Sequence, residues 1–130
     1  MLQQAFKLSV GLEYEGVLHR QCVLRPLSIA GELQALDERE RWFAQQPKEQ
    51  TWHCTEAADT LIGALSYWSQ QLQVDGIPPS ALTLDYLVKH LNGEDYRSIL
   101  NQLDALHAKF AAVSEVAAEA ETSVTANQAG

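Results

Sequence analysis

Apolar and polar residues alternate at the start of the chain. Phe6, Leu8, Val10 and Leu12 share one parity, with Lys7, Ser9 and Glu13 on the other. A period of two predicts a half-buried strand whose apolar face meets helices. Glu15-Gly16 follows as a tight turn, with glycine supplying positive φ. Val17 to Leu24 returns with weaker alternation, completing a β-hairpin. An isolated hairpin is marginal in water, so it must pack on helices or gain strands from another chain.

From Pro26 onward the period changes. Ser28 is placed to cap a first helix with apolar positions Ile29, Leu33, Leu36 and Phe43, its wet side carrying Glu32, Asp37, Glu38 and Arg39. Pro47 stops it. Thr55 caps a second helix with Ala58, Leu61, Ile62, Leu65, Trp68 and Leu72 in one stripe, ended by Asp75-Gly76-Ile77-Pro78-Pro79. Thr83 opens a short helix carrying Leu84, Leu87, Val88 and Leu91, broken by Asn92-Gly93. The last helix begins near Glu94-Asp95 and carries Tyr96, Ile99, Leu100, Leu103, Leu106, Phe110 and Val113. The expected fold is α+β: an N-terminal β-hairpin followed by about four α-helices, in a single domain over 1–113. Residues 114–130 are Ala/Glu-rich, then polar, and read as a frayed helix and disordered tail.

Charge narrows the function classes. The 130 residues carry 9 basic and 17 acidic side chains, a net charge of −8. That balance argues against nucleic acid and anionic membrane as partners, since both reward clustered Lys and Arg. No apolar run reaches the ~18–20 residues of a membrane span. The first residues lack the basic and apolar regions of a signal peptide, which predicts a cytoplasmic protein with Cys22 and Cys54 as free thiols.

Chemistry-bearing patterns are sparse. His19 and Cys22 lie three apart on a strand and point to opposite faces, and His53-Cys54 are neighbours in sequence only, so no metal site is expected. Neither a phosphate-binding glycine loop nor a nucleophile or zinc-protease motif occurs, and the expectation is a non-enzyme without cofactor. The tryptophans carry more. Trp68 fits the core stripe, whereas Trp42, Phe43 and Trp52 form either a partner-binding aromatic patch or a satellite cluster under the Pro47 loop.

Several stretches together resemble the tail assembly chaperones of contractile-tailed phages of the Mu and P2 kind and related prophages. These are the strand ending at Leu12, the turn Tyr14-Glu15-Gly16, the run from Cys22 through Arg25-Pro26 to Glu32, Leu82 to Leu87, and Asp95-Tyr96 with the helix to Phe110. The stretch from Trp42 to Pro79 has no counterpart there. The resemblance implies a non-catalytic protein that holds the tape-measure protein soluble while the tail tube assembles. It also implies a frameshifted longer form of the chain as a further partner, and absence from the mature virion. Self-association through the hairpin edge fits the same picture. The alternative is a small acidic adaptor that binds another protein and self-associates.

Overall fold

The computed structural model describes the backbone of residues 2–129 and the side chains of residues 2–113. The chain runs β1 (Gln4–Tyr14), β2 (Val17–Leu24), α1 (Ile29–Ala44), α2 (Glu56–Gln71), β3 (Leu72–Val74), α3 (Leu84–His90) and α4 (Gly93–Ala129). Single 3-10 turns at Trp52–Cys54 and Pro79–Ala81 lead into α2 and α3. This is the expected α+β order of an N-terminal hairpin and four helices, with one strand added. The expected frayed helix and disordered tail over 114–130 fall on residues whose side chains lie outside those described.

The hairpin closes at Glu15 and Gly16, with φ of 52° and 78°. Two successive positive φ values give the two-residue turn whose twist matches the strands. β2 is the centre of the sheet, because β3 pairs with it antiparallel, Cys22 opposite Val74 and Leu24 opposite Leu72. The expected helix stripe therefore ends one residue early: Leu72 is buried, but as the first residue of β3. The third strand comes from the same chain and occupies one edge of the hairpin.

β1 is not regular. Between the pairs Lys7–Gln21 and Leu12–His19 it has four residues where β2 has only Arg20. Gly11, with φ of 104°, sits in this bulge. A Cβ there would come within 2.9 Å of Arg20 Cγ and 3.1 Å of the His19 carbonyl oxygen. The bulge corrects the expected face: Phe6, Leu8 and Leu12 are buried, but Val10 is 41% exposed.

Helix starts follow local chemistry. Ser28, Thr55 and Thr83 each accept from a backbone N–H three residues on, at 3.0, 3.1 and 3.2 Å. The faces are less obedient. α1 turns Ala35 and Trp42 inward and leaves Ile29, Leu33 and Leu36 exposed. Ala35 is small enough to let α1 lie close on α2, and polar contacts fix that orientation. Arg39 pairs with Asp59, and Glu38 accepts from Ser69 Oγ at 3.0 Å. Glu38 and Arg39 thus reach a neighbouring helix and are only partly exposed.

The core joins Leu8, Leu12, Cys22 and Leu24 of the sheet to Ile62, Leu65 and Trp68 of α2, Leu84 and Leu87 of α3, and Ile99 and Leu106 of α4. α4 packs on β1, while α1 and α3 pack on α2. α3 is tied to β1 by Tyr86, whose hydroxyl donates to the Glu13 carbonyl at 2.5 Å.

Candidate functional site, a trough walled by three helices

One buried carboxylate ties the start of α4 to the sheet. Asn92 caps the helix, its Oδ1 accepting from Asp95 N at 2.9 Å. Asp95 then reaches out of its own helix into the bulge of β1. Oδ1 accepts from Ser9 N at 3.0 Å and Val10 N at 3.1 Å, and Oδ2 from Gly11 N at 2.8 Å. Asn92 Nδ2 donates to Oδ2 at 3.2 Å. The side chain is fully buried. A bulge exposes N–H groups with no ladder partner, and the carboxylate satisfies them together. Farther along, Gln4 Nε2 donates to Gln102 Oε1 at 2.8 Å and Lys109 Nζ to the Gln3 carbonyl at 2.9 Å.

Held to the sheet in this way, α4 meets α2 where the ring of Tyr96 lies 4.9 Å from that of Trp68. Beyond this contact a trough of about 700 Å³ opens. Its floor is a face of α2 with Thr60, Gly63, Ala64, Tyr67 and Gln71. Leu103, Leu106 and Phe110 of α4 line one wall, and Glu32 and Arg39 of α1 the other. Arg39 also lies over the Phe43 ring, 5.9 Å from its centre. On the opposite side of the Tyr96 contact a second cleft, of about 640 Å³, is rimmed by Trp52, Leu61 and Arg97.

Trp42, Phe43 and Trp52 are brought into one cluster. The ring of Trp42 lies 5.3 Å from Phe43 and 6.0 Å from Trp52, both edge-on, and Trp52 lies 5.6 Å from His53. Within it Trp42 is buried, Phe43 is half-buried and Trp52 is 50% exposed. Of the three, Trp52 presents the most surface to a partner, at the rim of the second cleft. None of them lines the trough, whose residues sequence periodicity assigned to core or surface. The available signal was the run Thr60, Gly63, Ala64, Tyr67, Gln71, a helical face too small and polar for a core stripe.

The residues weighed for metal chemistry are dispersed in role. Cys22 is buried beneath the sheet, and burial, with Asp95 and Asp75 nearby, pushes its thiol up to about 12. His19 packs against Gly76 in the turn after β3. Cys54 is exposed, and His53 Nδ1 is buried without a hydrogen bond. Among the described residues no group of three or more His, Cys, Asp or Glu could hold a metal ion, and no helix is long and apolar enough to cross a membrane. Comparison with protein-family models, curated proteins and solved structures found no match.

Proposed function

We propose that this chain is a non-catalytic assembly chaperone of phage or prophage tails that takes an apolar helical segment of a tape-measure protein into its trough. The observation that carries the reading is the trough itself. Three helices wall a cleft with an apolar α4 side and a smooth α2 floor, and no segment among the described residues fills it. Helix-in-groove recognition uses such a surface. The sequence resemblance at Cys22 to Glu32 and Leu82 to Tyr96 supports the same role, and the net charge of −8 suits a protein that keeps an apolar partner dissolved. The host cytoplasm is the place of action on this reading, and the finished virion lacks the protein. A frameshifted longer form would present the same trough.

The test is co-expression of the tape-measure protein with and without this chain, scored by its soluble fraction. The soluble fraction should rise with the chain and the complex should survive moderate salt, since apolar contact carries it. Equal solubility in both cultures refutes the reading. One observation favours the second reading, a self-associating adaptor. Ile29, Leu33 and Leu36 form an exposed apolar stripe on α1, 71%, 64% and 43% accessible. Self-association through the hairpin would have to use β1, since β3 occupies the other edge, and three N–H groups of β1 are already taken by Asp95.

A further inference from the structure

Gly63 has no explanation among the described residues. It lies in the interior of α2 without a positive φ, and a Cβ built there meets only Arg39 Nε, at 3.9 Å. Glycine is among the poorest residues for a helix interior. Alanine would fit this position and strengthen the helix. A glycine required neither by backbone conformation nor by packing against the described residues remains useful where another backbone must approach closely. Gly63 sits on the trough floor beside Ala64, so that approach comes from within the trough.

The lining also has a sign. It holds His107 and three charged groups; Arg39 and Asp59 neutralise each other, whereas Glu32 has no ion-pair partner among the described residues. A cation on the occupant would complement Glu32 and the negative chain behind it. A β-strand fits poorly, because apart from Pro26 and Leu27 the surrounding walls are helices whose backbone groups are already bonded.

We infer that the occupant is a single amphipathic α-helix that crosses α2 over Gly63 with a small residue of its own. Its apolar side chains lie against Tyr67, Leu103 and Phe110, and a Lys or Arg reaches Glu32. This rests on the reading of the chain as a binder of helical protein segments, and adds where the helix lies and which helices are accepted.

The probes are three synthetic amphipathic peptides with one apolar stripe. The first has Ala at the crossing position and Lys on the flanks. The second replaces the flanking Lys by Glu, and the third replaces the crossing Ala by Phe. Each is titrated by calorimetry into the full chain and into Gly63→Leu, Gly63→Ala and Glu32→Gln. The Lys peptide should bind best. Gly63→Leu should weaken it roughly tenfold or more, as overpacking a contact does, while the melting temperature does not fall. Gly63→Ala should raise the melting temperature and weaken binding less. Glu32→Gln should narrow the gap between the Lys and Glu peptides. Equal binding of the Lys peptide by Gly63→Leu and the parent chain overturns the inference, and so does failure of all three peptides to bind the parent. The co-expression assay separates the two readings. A Gly63→Leu chain that still solubilises the tape-measure protein removes this site but not the function. A parent chain that binds the Lys peptide in a Gly63-dependent way without solubilising the tape-measure protein keeps the site and removes the function.

Discussion

Replacing Asp95 by alanine tests the bond on which the architecture turns. The substitution removes both oxygens from the bulge and leaves the N–H groups of Ser9, Val10 and Gly11 without an acceptor. The three are not equivalent. Ser9 and Val10 are exposed residues whose N–H groups can turn to water, whereas the Gly11 bond is buried. An orphaned buried donor costs about 1–3 kcal/mol, and hydrogen bonds to a charged group contribute about 1.5–3 kcal/mol each before water replaces them. The alanine also relieves the cost of burying a carboxylate, which offsets part of the loss. The expected net destabilisation is about 3–4 kcal/mol, a large share of the ~5–15 kcal/mol typical of a domain. Asp95→Asn keeps one acceptor oxygen but points an amide NH2 at N–H donors, and should cost about 2 kcal/mol. Asn92→Ala, which removes the cap and leaves the carboxylate, should cost about 1 kcal/mol. Equilibrium urea unfolding followed by tryptophan fluorescence and circular dichroism measures all three. A loss below about 1 kcal/mol for Asp95→Ala would show that the bulge does not depend on this carboxylate.

Two further outcomes follow from burial. In the native protein an alkylating reagent should modify Cys54 quickly and Cys22 only on unfolding, since one thiol is exposed and the other buried; rapid double labelling by mass spectrometry refutes this. The Cys22 thiol is raised from 9.0 to about 12 in the folded chain, so its contribution to stability is full below pH 9 and is lost as pH rises toward 12. Cys22→Ala should remove that part of the alkaline loss in urea midpoints measured across this window. Leu8→Asp should unfold the domain, while Val10→Asp and Leu33→Gln should shift the melting temperature by only a few degrees, as exposed sites do; equal loss for Leu8→Asp and Val10→Asp refutes the bulge.

What was legible in the sequence was local. The caps at Ser28, Thr55 and Thr83 and the turn at Glu15-Gly16 depend on chemistry within a few residues, and each stands where the sequence placed it. What failed was partner-dependent. Alternation through Leu8, Val10 and Leu12 concealed a bulge because Gly11 has no side chain to break the pattern, although a lone glycine in a strand is itself a bulge signal. β3 has only Leu72, Gln73 and Val74, too few to show a period, and its first residue extends the stripe of α2. The face of α1 was reversed because hydrophobicity marks what can be buried, whereas the small Ala35 and the ties from Glu38 and Arg39 decide what is buried. Asp95 was legible as a residue of the first helical turn, but its partners in the bulge of β1 lie at least 84 positions away.

That last distance links fold to site. Had α4 packed along α2 for its whole length, Leu103, Leu106 and Phe110 would have covered the α2 face at Gly63 and Ala64. The carboxylate of Asp95 instead commits the first turn of α4 to the bulge of β1, and Gln102 and Lys109 tie the following turns to the start of β1 and the residue before it. The contact between Tyr96 and Trp68 marks where α4 meets α2, and past it the trough opens. A bulge costs regular pairing in β1, a buried carboxylate costs desolvation, and a mid-helix glycine costs helix propensity. All three bear on the same open face of α2. In a chain optimised for stability alone each would be replaced, by a regular strand, an apolar side chain and an alanine. Their coincidence at one surface is the physical reason for proposing the trough as the seat of a helical partner.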